Sequence, residues 1–210
     1  MHFTKSDIGY LDHVRRLNIM NSISGIKSVN MIGTKSADGI SNLAVFSSVV
    51  HLGSSPALMG FILRPKHEVV RDTYENLRAT GVFTINHVHR GIIKQSHYTS
   101  AKFDSDISEF DQCNLTEEYM DAFNAPFVLE SRIKIGLTFK EEIEIKSNQT
   151  TLIIGEVEHL MIPNEAVAVN GYVDLEMTES IGVSGLNRYY ALKRTLDLPF
   201  ARSHQLPKWE

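Results

Sequence analysis

Residues 38–48 read DGISNLAVFSS, and this stretch decides the fold because it joins a turn signal to a strand with unusually small residues. Asp38 and Gly39 predict a tight hairpin turn with positive φ angles, between the extended runs VNMIGT and LAVFSSVV. An ordinary core strand would carry β-branched or aromatic side chains throughout. Here the apolar run is interrupted by small and polar residues, which are Asn42, Ala44, Ser47 and Ser48. Such residues allow a flat, polar ligand to approach the backbone closely.

The length and charge of the chain are typical of a small enzyme. With 210 residues, of which 42% are hydrophobic, the chain can bury its core as one domain, and we expect a single domain over residues 1–210. The net charge of −4 gives no electrostatic reason to expect nucleic acid or an anionic membrane as a partner. No segment approaches the ~20 apolar residues that span a bilayer, and the N-terminus carries no long apolar run, so we expect a cytoplasmic protein.

The hydrophobic pattern predicts a mainly β protein with a few peripheral helices. Strands are expected near 26–35, 41–51, 57–63, 82–89, 128–145, 151–162 and 180–184, and helices near 68–79, 91–100, 116–123 and 187–194. Gly81 follows the first of these helices as a C-cap candidate. Strands without regular intervening helices favour an antiparallel barrel over a doubly wound sheet. The acidic segment 102–127 is interpreted as an excursion outside the barrel.

Several elements together resemble a known family. The runs GISNLAVFSSVVHLGSSPALMGFIL and RPKHEVVRDTYENLRATGVFTINHV are similar to the flavin-reductase-like proteins with the FMN-binding split-barrel fold. The matching positions are Asn42, Leu43, Ala44, Phe46, Ser47, Pro56, Asp72, Thr73, Asn76 and Asn86. Val45 stands where the family usually has proline, and Val183 where it usually has arginine. The resemblance implies an antiparallel, Greek-key-like split β-barrel that forms a homodimer and binds FMN near the subunit interface.

The loop ILRPKHE is the candidate phosphate site. Arg64, Lys66 and His67 place two cations and one titratable ring within four residues, directly before a helix whose N-terminal amides favour anions. Guanidinium and ammonium groups are suitable partners for the FMN phosphate. On the clustering alone, a solvated surface loop is the better explanation of these charges. The position of the loop after the family's apolar strand favours phosphate binding.

The resemblance also implies contacts for the rest of the cofactor. Ser47 and Ser48 are assigned to the ribityl-phosphate end, although serines at a strand end often bond only nearby backbone. The segment from Asn42 through Leu43 to Ala44 is expected to border the isoalloxazine ring. The hydroxyl of Thr73 would reach the phosphate, with a core threonine as the alternative. Lower in the order of candidates are Lys27, Ser28 and Asn187.

Other chemistry finds less support in the sequence. His87 and His89 share a strand face and, with His97, could imitate a three-histidine metal site, but a partly exposed strand face explains them better. The single cysteine, Cys113, excludes an intrachain disulfide and lies in a polar stretch, which suggests a surface or half-buried thiol. Neither a Gly-x-Gly-x-x-Gly motif nor a Walker loop is present.

The sequence therefore predicts a flavoprotein oxidoreductase, in particular an NAD(P)H-dependent flavin reductase that takes FMN as cofactor and NADH or NADPH as electron donor. Flavin supplies the hydride chemistry, so no catalytic residue of the protein is expected. Two alternatives stay open. One is a flavin-bound electron carrier served by a separate reductase, and the other is a flavin-binding protein without redox turnover.

Overall fold

The computed structural model describes residues 1–65 and 71–207. Its strands are β1 (Lys27–Ser28), β2 (Asn30–Lys35), β3 (Ser41–Phe46), β4 (Val50–Ser54), β5 (Ala57–Leu63), β6 (Val82–His87), β7 (Glu117–Met120), β8 (Phe123–Val128), β9 (Lys134–Ile145), β10 (Thr150–Met161), β11 (Ile181–Ser184) and β12 (Arg188–Ala191). The helices are α1 (Lys5–Tyr10), α2 (His13–Ser22), α3 (Asp72–Thr80), α4 (Ile93–Tyr98) and α5 (Glu109–Gln112). Short 3-10 turns cover Arg90–Ile92, Asn164–Ala166 and Ser203–Gln205.

Seven antiparallel strands form the main sheet, in the order β3-β2-β6-β9-β10-β5-β4. The two edge strands, β3 and β4, follow each other in the chain, so the sheet curls until its edges meet at the link formed by residues 47–49. At this seam the Ser48 hydroxyl donates to the Ile62 carbonyl at 3.2 Å and accepts from the Ile62 N–H at 3.1 Å. A side chain thus replaces a rung of the backbone ladder. The mainly β fold class predicted from the sequence is confirmed.

The barrel interior is filled by aromatic and aliphatic side chains from opposite walls. Phe61 contacts Phe46 at 5.0 Å and Phe83 at 5.5 Å between ring centroids, both edge to face, a geometry that aromatic pairs prefer. Gly155 leaves room for this group, because a Cβ atom there would lie 2.6 Å from the Phe83 ring. Helix α3 closes one side of the barrel by burying Leu77.

A second apolar cluster lies on the other face of β2 and β3. It joins Met31 and Leu43 to residues from the 3-10 turn, α5, β8 and β11, which are Val88, Ile92, Phe110, Cys113, Leu115, Val128, Ile181 and Val183. Cys113 is 7% exposed, so the expectation of a surface or half-buried thiol is wrong. Cys113 lies at the end of α5, one turn after Phe110, and both side chains pack into this cluster. The polar residues on either side of Cys113 in the sequence do not reveal this burial.

The segment 102–127 lies outside the barrel, as expected, because it contributes no strand to the main sheet. Its apolar residues are anchors in the protein core, since Phe110, Leu115, Phe123 and Phe127 are all nearly inaccessible. The β7-β8 hairpin packs so tightly on β2 that a Cβ atom at Gly33 would lie 2.3 Å from the Pro126 carbonyl oxygen. The segment is therefore an excursion that packs firmly on the outside of the barrel.

Two predicted helices are wrong. Residues 116–123 form β7, a turn in which Ala122 has a φ of 63°, and the start of β8. Residues 187–194 form the end of a turn and β12, which pairs with β11 from Ile181↔Ala191 to Ser184↔Arg188. In both places the pairing strand is close in sequence, and this pairing outweighs a weak helical pattern. Helices α1 and α2 were not predicted, and neither contains a buried residue.

The turn between β2 and β3 and the end of α3 are found where the sequence predicts them. The turn between β2 and β3 spans residues 36–40 and places Gly39 at a φ of 89°, while Asp38 keeps a negative φ. The turn is therefore longer than the two-residue form expected. Helix α3 ends at Gly81, whose φ of 75° and N–H bond to the Leu77 carbonyl confirm the C-cap. The start predicted at residue 68 lies outside the described residues.

Candidate functional site

Four buried polar side chains connect β3 to α3. Asn42 donates to Thr34 Oγ1 at 3.2 Å and to Thr73 Oγ1 at 3.1 Å, and Asn76 donates to Thr34 Oγ1 at 3.2 Å. All four residues are less than a tenth exposed. Buried amides and hydroxyls that satisfy one another fix the position of the elements that carry them. This network therefore holds the N-terminal turn of α3 against the edge strand of the barrel.

The outer edge of β3 is not paired with another strand in the sheet, and it faces Ser108, Glu109 and Glu117. Leu43 N–H donates to Glu109 Oε2 at 2.8 Å. Ser41 Oγ lies 2.7 Å from Ser108 Oγ and donates to Glu117 Oε1. Burial raises the pKa of Glu109 above its ordinary value. The backbone donor at Leu43, expected to face a flavin ring, is thus bonded to a carboxylate of the same chain.

The remaining candidates on β3 and the seam point in different directions. Ala44 lies opposite Ile32 in the ladder, so its methyl group is on the face of the barrel core. Ser47 is half-buried in the seam, and the Ser48 hydroxyl is bonded to the backbone of Ile62, as a serine without ligand contact would be. The assignments of Asn42, Leu43, Ala44, Ser47 and Ser48 to the cofactor stay predictions.

The phosphate candidates lie around the start of α3. Arg64 is exposed directly after β5, whereas Lys66 and His67 lie outside the described residues. Arg71 occupies the N-cap position of α3, and its Nε is buried without a hydrogen-bond partner among the described residues. Thr73, in the first turn, is 5% exposed.

Arg71 was missed by the sequence reasoning, although a signal for it exists. A cation at a helix N-terminus opposes the helix dipole and is unfavourable unless an anion is bound there. Its position directly before Asp72, at the start of a helix, could therefore have marked it as a ligand residue.

Lys27, Ser28 and Asn187 form a separate group on the small sheet β1-β11-β12. Lys27 is paired with Val183 in the ladder, and its Nζ donates to the carbonyls of Asn21 at 2.7 Å and Gly185 at 3.2 Å. Ser28 accepts a bond from the Asn30 side chain, and Asn187 is exposed in the turn before β12. These three residues thus lie on or beside the small sheet, on different elements from Asn42 and Thr73.

A cavity of about 190 Å³ opens beside Asn42, between the β2-β3 turn, α3 and the segment 104–109. Its charged lining residues are all acidic, namely Asp38, Asp72, Asp104, Asp106 and Glu109. A phosphate dianion would be repelled there. The cavity is also smaller than the roughly 300–1,000 Å³ of typical cofactor sites, so it does not enclose a whole flavin.

The three histidines considered as metal ligands have separate roles. Burial lowers the pKa of His87 to about 4. His89 Nε2 lies 3.0 Å from the Glu130 carbonyl, and His97 Nδ1 lies 2.8 Å from the Tyr189 hydroxyl. Within residues 1–65 and 71–207, no group of three or more His, Cys, Asp or Glu side chains is arranged to hold a metal ion. Among the helices of these same residues, none is long and apolar enough to cross a bilayer.

The architecture defines the class of protein as a split β-barrel. A split-barrel protein of Shewanella frigidimarina NCIMB 400, whose flavin reductase name is provisional, is 43% identical, with a TM-score of 0.91 over 96% of this chain and 100% of that one. Nitrilotriacetate monooxygenase component B of Bacillus cereus shares the fold at 17% identity, with a TM-score of 0.83 over 94% and 98% of the two chains. Flavoredoxin of Desulfovibrio vulgaris (Miyazaki F) shares it at 22% identity, with a TM-score of 0.72 over 84% and 92%.

The chain belongs to the flavin reductase like domain family, whose pattern matches residues 24–176. This range includes β1 to β10 and α3, and therefore the network around Asn42, the N-cap arginine and the covered edge of β3. The resemblance drawn from residues 39–88 is confirmed.

Proposed function

We propose that this protein binds FMN and acts as an NAD(P)H-dependent flavin reductase. The observation that carries the proposal is the unused hydrogen-bonding capacity at the start of α3. Arg71 Nε is buried without a partner among the described residues, at a helix terminus whose amides favour anions. Leaving a buried guanidinium donor unsatisfied is costly, and the phosphate of FMN would satisfy it.

The residues present fit this cofactor. Arg71, supported by Arg64, Lys66 and His67 of the preceding loop, would hold the phosphate, and Thr73 would add a hydroxyl donor. Asn42 would act by fixing α3 to β3, so that the helix terminus faces the ligand in one orientation. The seam at Ser47 and Ser48 would border the ribityl chain. FMN, when bound, would supply the acceptor for one hydride, which carries two electrons, so the chain needs only to bind and orient it.

The source of the electrons distinguishes the proposed reductase from its alternatives. Bacterial flavoredoxin shares this fold, as its name and the superposition indicate. A carrier of that type would accept electrons from a separate reductase and not from NADH or NADPH. A flavin-binding protein without redox turnover is the third possibility. We favour the reductase because the relative from S. frigidimarina, which is 43% identical along nearly the whole chain, carries a flavin reductase name.

One spectroscopic experiment tests cofactor and donor together. Purified protein titrated with FMN should bind it at micromolar concentration, with quenching or a shift of flavin fluorescence. Anaerobic addition of NADH or NADPH should then bleach the bound flavin without another protein. Bleaching by dithionite alone would identify a carrier, and the absence of any FMN binding would overturn the proposal.

We further propose a homodimer in which the second copy completes the site. The cavity beside Asn42 is too small for FMN in one chain. Helices α1 and α2 contain no buried residue, and the C-terminal segment exposes large apolar side chains, among them Leu196 at 70%, Leu198 at 77% and Phe200 at 87%. Apolar surface of this extent is typical of an interface. The cytoplasmic location and the single domain stay predictions.

A further inference from the structure

The carboxylate of Glu109 is an unusual group to find against the edge of the barrel. It is 9% exposed, and among the described residues no cation forms an ion pair with it. Asp72 of α3 adds further negative charge nearby. A buried carboxylate without a cation costs folding free energy. If this position only had to be filled, an apolar side chain would do so at a lower cost.

The contacts of Glu109 show what it does hold. Its Oε2 accepts the N–H of Leu43, a donor that the main sheet leaves open because β3 is an edge strand. One residue earlier, Ser108 reaches Ser41 on the same edge. One residue later, Phe110 anchors α5 in the apolar cluster that contains Leu43. Glu109 is therefore the hydrogen-bonded centre of a cover, formed by residues 104–109, over the edge of β3.

This cover forms one wall of the cavity beside Asn42. Besides Glu109, the residues of the cover that line the cavity are Asp104, Ser105, Asp106 and Ile107. Asn42 in turn fixes α3 through Thr73. The edge of β3 thus lies between two supports, with the cover on one side and the start of α3 on the other. A change in the cover would therefore alter the positions of Asn42 and of the start of α3.

We propose that Glu109 is a positioning residue of the flavin site, which acts by clamping the cover to the Leu43 N–H. This inference rests on the proposed function for its effect on FMN, but not for its effect on the edge of β3. Glu109 does not touch the ligand in this proposal. It fixes the backbone of Asn42 and Leu43, and thereby the position of β3 relative to the start of α3, where the FMN phosphate would bind.

Two variants and one control test the clamp. Glu109→Ala removes the acceptor, whereas Glu109→Gln keeps a carbonyl oxygen for the Leu43 N–H and removes the charge. Asp111→Asn is the matched control, because Asp111 is an exposed carboxylate on the same helix α5 that neither belongs to the cover nor lines the cavity. Hydrogen exchange of the Leu43 amide, measured by NMR on the protein without flavin, is compared with that of Ile153 in the barrel core.

Glu109→Ala should accelerate exchange at Leu43 at least tenfold relative to Ile153 and weaken FMN binding five- to fiftyfold. Glu109→Gln should keep both within about threefold of the unmodified protein, and Asp111→Asn should change neither. Unchanged exchange at Leu43 in Glu109→Ala would overturn the clamp, and so would equal acceleration at Leu43 and Ile153, which indicates general destabilisation. Altered exchange at Leu43 with full FMN affinity would overturn the role in the site. Absence of FMN binding in the unmodified protein would refute the proposed function while the exchange data still decide on the clamp.

Discussion

Replacing Arg71 with alanine should weaken FMN binding more than any other single change in the phosphate loop. Its Nε is buried and without a partner among the described residues, so a phosphate oxygen there would form a charge-assisted bond shielded from water. Such bonds contribute about 1.5–3 kcal/mol, which corresponds to a loss of roughly one to two decades in affinity. Arg64 is exposed, and an ion pair in water contributes about 1 kcal/mol or less, so Arg64→Ala should cost roughly fivefold.

The assay compares FMN with riboflavin, which lacks the phosphate, in fluorescence titrations of each variant. Both substitutions should reduce FMN affinity and leave riboflavin nearly unchanged. Arg78→Ala is the matched control, because Arg78 lies in the last turn of α3 and its guanidinium is 5.4 Å from the Phe139 ring. Equal losses for FMN and riboflavin would refute the phosphate assignment. A larger effect at Arg64 than at Arg71 would refute the argument from burial.

Three further predictions concern stability and assembly. Asn42→Ala removes the bonds to Thr34 and Thr73 and should lower the free energy of unfolding by about 1–3 kcal/mol, so an unchanged urea midpoint would contradict the role of the network. The lowered pKa of His87 shows that the folded state disfavours its charged form. The contribution of His87 to the free energy of unfolding is therefore complete above the ordinary histidine pKa of about 6.5 and is lost as the pH falls towards 4. The free energy of unfolding, measured with urea, should therefore decrease as the pH is lowered across this range. The His87→Gln variant should show a smaller decrease, and the His13→Gln variant, with its change at an exposed position, should show the same decrease as the unmodified protein. Light scattering of the FMN-loaded protein should give about twice the 23.7 kDa of one chain, and the mass of a single chain would exclude the dimer.

The elements that the sequence predicts well are those whose signals are local. Gly39 and Gly81 mark a turn and a helix end through their positive φ angles, and both are found where expected. The apolar strands around Phe61 and Phe83 are equally evident from their composition. In each case the information lies within about ten residues of the feature.

The parts that could not be predicted depend on contacts between distant residues. The bond from Leu43 to Glu109 spans 66 positions, and that from Lys27 to Gly185 spans 158. No periodicity indicates that an acidic stretch near Cys113 packs on the barrel, because its Phe and Leu anchors are separated by polar residues. The orphaned Nε of Arg71 likewise becomes visible only when the surroundings of α3 are known.

The seam between β3 and β4 has a consequence for how this fold tolerates change in chain length. Both edge strands leave the link at residues 47–49, and Ser48 fixes their offset by its paired bonds to Ile62. One residue inserted in the link would reverse the inward and outward faces of β4, since side chains alternate along a strand. The tip of the β9-β10 hairpin, at residues 146–149, is a turn in which all four residues are exposed. Natural variation in length should therefore accumulate at that tip, and a tag or a fused domain inserted there should leave the barrel intact.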